Sequence, residues 1–494
     1  MKTSKWLCIV LIYNIKDQQT ITSESITVDK NLWIGSLKYT PLLAANIRLL
    51  FVVVQRNKVD HTIIETLILE KKDHENAYDR IDHNLSDNLI LVDYNATVEL
   101  FSFINSRYSA ERKIMITLGH GSVFGMNYFD LYLPTGIKKS LLNHTTDIRQ
   151  LDNFFSGIGE DKIENGYLKA IDKIDHKAGF ELISSRQLIS GNGDSKKYQL
   201  SNKELSQALK AFSKIEGGKH IDILVINNCF MQNIFAQYDY CDAVEYYVAP
   251  ISGISYPGYN FLEILKNIND NPDVSIEKTA ISFVSKEMIE NHALYKKPRD
   301  NDFSKTAIDN RWFLQCVKLD DAMFANFKQQ FASYINELYR IAKASRIMRL
   351  FVLDAFYSCY KYSEKSLPNL DLVDFRSFVF SLQDLVVRGN HGRIQEIDEL
   401  LQFSKEILET ITQLKFENYC GKDFLVDWEN FNDKYLAATK QEAVSKIGLG
   451  FYLSKNLPDD SPLCEMLHTD NPFKPALIEQ TNYFDFLKLM ADDL

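Results

Sequence analysis

The apolar positions of this chain fall in short unbroken runs, not in alternation with polar ones. Such runs occur at Trp6 to Tyr13, Arg48 to Gln55, Thr62 to Leu69, Lys113 to Leu118, Ile221 to Ile226 and Tyr246 to Ala249. A strand that is apolar on both sides must be covered on both sides. With helical stretches between them, these runs predict an α/β fold: a mainly parallel sheet flanked by helices on both faces. In sheets of this kind functional sites collect at the carboxyl ends of the strands.

From about Asp320 the spacing changes to that of helices, with long stretches at Ala322 to Arg346 and Gly392 to Ile411. In the second, Ile394, Ile397, Leu400, Leu401, Ile407, Leu408 and Ile411 share one apolar face. The pattern divides the chain into residues 1–300, carrying the sheet, and a mostly helical C-terminal domain, 301–494. Residues 131–197 are polar and glycine-containing, as in Ile158-Gly-Glu-Asp161 and Asn192-Gly-Asp-Ser-Lys-Lys197. That is too long for a simple connection. The segment reads as an inserted regulatory or activation loop, or as a small helical subdomain with no such role.

Composition narrows the functional classes. The chain has 494 residues, 45% hydrophobic and 25% charged, enough for two or three globular domains. A net charge of -10 with scattered lysines offers no basic face for nucleic acid. No apolar stretch approaches the roughly twenty residues that span a bilayer. Lys2 and Lys5 ahead of Trp6 to Tyr13 hint at a secretory signal, but the run is short and lacks a small-residue cleavage site. Seven cysteines with no regular spacing and no CxxC pair read as free thiols in a reducing compartment, so a cytoplasmic location is expected.

Two strand ends carry the candidate chemistry. Lys113-Ile-Met-Ile-Thr-Leu-Gly-His-Gly121 leaves an imidazole at its tip, and Ile221-Asp-Ile-Leu-Val-Ile-Asn-Asn-Cys229 leaves a thiol. If the strands are parallel neighbours, the two side chains meet. A free thiol, with a pKa near 8.5, is mostly protonated at neutral pH and needs a base to become a nucleophile. Histidine is the usual one. Backbone N–H groups at Gly121 and Cys229 would point to where an oxyanion forms. Taken singly, a cysteine is most often core and a strand-end histidine merely hydrogen-bonded.

The order of segments along nearly the whole chain resembles the clostripain-like cysteine peptidases, which share the caspase and gingipain type of fold. Lys5 to Tyr13 looks like the family's first strand. Asn95 to Tyr108, followed by Ser109-Ala-Glu-Arg112, looks like the helix before the histidine strand. Leu200 to Leu209 is similar to the helix before the cysteine strand, and Asp242 to Ala249 to the segment entering the specificity strand. Asn369 to Phe375 resembles a downstream helix start and Gly448 to Tyr452 a late strand. The resemblance implies a cysteine endopeptidase with Cys229 as nucleophile and His120 as general base and acid. The oxyanion would be met by backbone groups of Gly121 and Cys229, and Asn227 and Ser252 would contact substrate.

Members that cleave after arginine or lysine carry an aspartate two residues before the cysteine; here that position is Asn227. The stretch Val248 to Tyr256 also holds no charge. Without a carboxylate to pair with a desolvated basic side chain, strict trypsin-like cleavage is not expected. Asp239 and Asp242 are the acids near enough in sequence to approach instead. The implied partners are a protein or peptide substrate and a regulatory protein.

No cofactor is expected. His74 and His83, among Asp73, Glu75, Asp79 and Asp82, form a charged loop of the kind that is ordinarily solvated, though its carboxylates could hold calcium, a metal some relatives use. His220, beside Gly217-Gly-Lys219, lacks the spacing of a phosphate loop. Two other readings compete with hydrolysis: an inactive caspase-like interaction module, and a transpeptidase using the same dyad.

Overall fold

The computed structural model describes residues 2–14, 43, 46–56, 64–72, 75, 77–81, 94–122, 125–127, 188–189, 195–196, 199–215, 221–251, 254, 258–290, 313–360, 372–389, 394, 396–414, 416–420, 449–452 and 473–491. Its main sheet is built from β1 (Lys2–Asn14), β2 (Ile47–Arg56), β3 (Ile64–Lys71), β4 (Tyr78–Arg80) and β5 (Tyr108–Leu118). Further on, β6 (His120–Ser122), β7 (Gly125–Asn127), β8 (Leu188–Ile189), β9 (Ser195–Lys196) and β10 (Gln199–Ser201) form smaller sheets. The main sheet resumes with β11 (Ile221–Asn227), β12 (Val244–Pro250) and β13 (Phe313–Lys318). After β14 (Leu372–Asp374) it is completed by β15 (Phe416–Cys420); β16 (Gly450–Tyr452) pairs with β14.

The strand order is β15-β13-β12-β11-β5-β1-β2-β3-β4. The five central strands, β12 to β2, run parallel, and the strands outside them on both sides are antiparallel. The alternation of side chains across each strand divides the core in two. Leu7, Ile9 and Leu11 of β1 enter one layer, and Trp6, Cys8, Val10 and Ile12 the other. This is why the strands read as continuous apolar runs.

Helices cover both faces. On the first lie α1 (Tyr94–Arg107), α2 (Asn202–Ile215) and α3 (Ile234–Tyr240). The opposite face is covered by α4 (Phe261–Asp270), α5 (Ile276–Ser282) and α6 (Lys286–Glu290). The C-terminal helices are α7 (Ala322–Ala344), α8 (Arg346–Ser358), α9 (Phe375–Gly389), α10 (Asp398–Ile411), α11 (Ala476–Gln480) and α12 (Tyr483–Ala491). They share the first layer's core, which runs without a break from Leu7 to Met490. Residues 301–494 are therefore not helical alone: β13 and β15 extend the central sheet.

Several boundaries differ from the sequence reading; Leu200 and Ser201, for one, belong to β10 and not to α2. Ser109 to Arg112 belongs to β5 and not to the preceding helix, because Lys2 to Ser4 of β1 pair with Tyr108 to Ala110. The expected helix 322–346 breaks at Ser345, whose side chain accepts a hydrogen bond from Met348 N and so caps α8. Glu396, at φ 59°, keeps Ile394 and Ile397 out of α10, which opens on Asp398 and Glu399 at its positive end. Apart from β8 and β9, residues 131–197 lie outside the described part, and so do His74, His83 and His220. Among the described residues no helix is long and apolar enough to cross a membrane.

Candidate active site

The two strand ends singled out by the sequence are neighbours. β5 and β11 run parallel, and Asn227 at the end of β11 is in register with Leu118 at the end of β5. Two residues beyond Leu118 the chain enters β6, where His120 pairs with Asn127 and Gly121 with Met126 of β7. β7 pairs in turn with β10, at the entrance to α2. The backbone of the His-Gly pair is thus anchored in a three-stranded sheet beyond the carboxyl edge of the main one. The imidazole of His120 and all of Ser252 lie outside the described part.

Cys229 stands two residues past β11, in the turn that leads to α3. Thr117 of β5 reaches this turn, donating from Oγ1 to Asn228 Oδ1 at 2.6 Å. Phe230 follows the cysteine at φ 59°, a left-handed conformation that costs a non-glycine residue about 1–2 kcal/mol and persists only where the surroundings enforce it. Asn233 enforces it from one side. Its Oδ1 caps α3 at Ala236 N, while its Nδ2 donates to the carbonyls of Phe230 and Met231 at 3.1 and 3.2 Å. Tyr247 of β12, fully buried, donates to the Met231 carbonyl at 2.7 Å.

Cys229 as a residue is half-buried, but its thiol is enclosed and engaged by one residue. Ile254 N donates to Cys229 Sγ at 3.3 Å, and Sγ donates to the Ile254 carbonyl at 3.5 Å. Burial pushes the thiol above its ordinary pKa, and the amides of Ile254 and of Cys229 itself pull the other way without overcoming it. In this arrangement the sulfur is a neutral thiol. Turning it into a nucleophile requires a base.

Asn227 is buried against Gly258. A Cβ on Gly258, which sits at φ 70°, would lie 2.2 Å from Asn227 Oδ1, so this approach needs glycine on both counts. Asn227 Oδ1 has no hydrogen-bond partner among the described residues. Neither acid expected nearby supplies a carboxylate here. Asp239 is buried on α3 and accepts from Ala476 N at 2.7 Å, at the start of α11. Asp242 is exposed and paired with Lys210 at 3.0 Å. Asp239 lies near the end of α3 and Asp242 two residues beyond it. Among the described residues no three histidines, cysteines or acids gather as metal ligands.

The supporting residues Asn233, Tyr247 and Ile254 were missed by the sequence reading. Asn233 carried a usable signal, since an asparagine directly before an apolar helical run marks an N-cap. The Ile254 contact carried none, because it is made by main-chain atoms.

A model of the clostripain family, the C11 peptidases, matches residues 175–445. The chain belongs to the clostripain family. Membership makes it a cysteine peptidase, a hydrolase acting on peptide bonds, and accounts for the caspase-like order of its parallel sheet. Solved clostripain-family structures align along most of its length at low identity. A secreted C11 cysteine protease from Bacteroides thetaiotaomicron, in complex with an irreversible peptide inhibitor, is 13% identical with a TM-score of 0.44, covering 96% of this chain and 99% of that one. An inactive zymogen C11 protease from Parabacteroides distasonis is 11% identical with a TM-score of 0.43, covering 96% and 98%. No curated protein matches the chain.

Proposed function

We propose that the protein is an endopeptidase that works through a Cys229–His120 dyad and an acyl-enzyme. The observation that carries this reading is the register of Asn227 with Leu118, which sets the cysteine turn beside the start of the His-Gly strand. His120 takes the thiol proton, and Sγ attacks the carbonyl carbon of the scissile bond. The resulting oxyanion is met by the N–H groups of Gly121 and Cys229. As the tetrahedral intermediate collapses, the C–N bond breaks and His120 gives its proton to the leaving amine. Water, deprotonated by His120, then attacks the thioester and releases the acid and the thiol.

The neutral, desolvated thiol supports a base of this kind, because a self-ionised thiolate would not need one. Substrate is a protein or peptide, and Asn227 and Ser252 are the residues assigned to contact its side chain before the cut. An uncharged amide at Asn227 favours a neutral or polar residue there over arginine or lysine. Control by cleavage within 131–197, or by a regulatory protein, fits a thiol that rests protonated and engaged with Ile254. A cytoplasmic site rests on the six described cysteines, none of which is in a disulfide. The Bacteroides relative is described as secreted, and fractionation of the producing cell distinguishes the two.

The test of the dyad is covalent. Wild-type protein is treated with a peptide carrying a thiol-directed electrophile, digested and sequenced by mass spectrometry. The reading predicts modification at Cys229 and its loss in His120→Ala at neutral pH; labelling elsewhere, or labelling indifferent to His120, contradicts it.

A further inference from the structure

Three side-chain amides run in line from the cysteine turn to the edge of the sheet. Gln232, three residues after Cys229, donates from Nε2 to Gln315 Oε1 at 2.6 Å. Gln315 of β13 donates from Nε2 to Asn418 Oδ1 of β15 at 2.9 Å. Gln315 stands in register with Ala249 of β12 on one side and Asn418 on the other, so the line crosses two strands at one level. Gln232 and Gln315 are wholly buried, and Gln232 Oε1 has no hydrogen-bond partner among the described residues.

Apolar side chains of similar volume would fill this space without desolvating amides. A buried network that costs free energy is explained when it fixes one geometry that packing alone leaves loose. Here the fixed object is the cysteine turn. Gln232 N also donates to Pro250 O at 2.9 Å, and Gly450 of β16 comes so close that a Cβ on it would lie 2.8 Å from the Gln232 carbonyl. The turn that holds Phe230 in a left-handed conformation is therefore gripped just downstream by β12, β13 and β16, and through Gln315 by β15.

We propose that Gln232, Gln315 and Asn418 form a positioning ladder that sets the reach of Cys229, so that the antiparallel strands β13 and β15 of the C-terminal half govern the nucleophile's geometry. This rests on Cys229 being the nucleophile. None of the three amides touches the sulfur; each acts through the turn.

The experiment compares wild type, Gln315→Leu and Gln232→Leu/Gln315→Leu by kcat, KM and thermal unfolding of the full chain, with Cys229→Ala alongside. Gln315→Leu orphans the Gln232 amide and lowers Tm, whereas the double variant removes both partners and recovers most of that loss. A nucleophile displaced by a fraction of an ångström costs about 10- to 100-fold in kcat. The ladder predicts that loss in both variants, with KM within about twofold of wild type. If kcat returns with Tm in the double variant, or is unchanged in both, the amides are structural only and the proposal is overturned. Cleavage that survives in Cys229→Ala would instead sink the assignment of the nucleophile, which is a separate result.

Discussion

The main chain of Ile254 engages the Cys229 sulfur from both directions, donating to it at 3.3 Å and accepting from it at 3.5 Å. A thiol satisfied in this way, and desolvated, stays protonated at a pH where an exposed one begins to ionise. The sign of the consequence is fixed: only the thiolate reacts, so reactivity is delayed to higher pH. In His120→Ala, which leaves the thiol to its surroundings, the alkylation rate of Cys229 plotted against pH should have its midpoint above that of a cysteine-containing peptide. A midpoint at or below the peptide's would mean that the Ile254 amide outweighs burial.

Asp239 gives the fold a pH dependence of its own. Burial is the main cause that raises its carboxyl to about 7, against the Ala476 amide and the more distant Lys203 and Lys210, with Glu479 adding to the rise. Its unfolded value is near 3.9. A raised folded value favours the protonated form, so this contribution is complete below about pH 4 and is lost as the pH climbs through 7. Asp239→Asn should therefore gain about 3 kcal/mol on wild type as the pH rises from 5 to 8. Urea unfolding at both pH values checks it, and a difference that does not change with pH would refute it.

Gly258→Ala tests the wall behind Asn227. The added carbon would meet the Asn227 amide at 2.2 Å, and alanine is disfavoured at φ 70°. A loss of roughly 1–3 kcal/mol in unfolding free energy is expected. A shift in the preferred residue before the cut should accompany it, since Asn227 must move.

Asn233→Ala removes a helix cap and two bonds that hold the carbonyls of Phe230 and Met231. Stability should fall by about 0.5–2 kcal/mol, the range for a lost cap. Turnover should fall further than that figure alone would suggest, because the cysteine turn is released. Equal stability and equal kcat would show that Tyr247 and the ladder hold the turn unaided.

The sheet was legible in the sequence because parallel strands buried on both faces leave continuous apolar runs. Trp6 to Tyr13 and Ile221 to Ile226 are such runs, and both are strands. The adjacency of β5 and β11 entered only as the condition under which the two strand ends would meet, and the sheet supplies it. What the sequence reading missed has physical reasons. β13 and the edge strand β15 are short, six and five residues, and each is interrupted by a polar residue, Gln315 and Asn418, so neither gives a continuous apolar run. Ser345 breaks a helix by a side-chain bond that periodicity does not register. The Ile254 contact belongs to the main chain, which any residue could have supplied. Asp239 looked like a candidate for the substrate pocket by proximity in sequence, yet α3 carries it to α11.

Cleavage of a diverse peptide library by wild type, His120→Ala and Cys229→Ala, with products read by mass spectrometry, tests the central claim most directly. The dyad predicts cuts by wild type that vanish in Cys229→Ala and nearly vanish in His120→Ala, with no strict requirement for arginine or lysine before the cut. Cuts that persist in Cys229→Ala would contradict it.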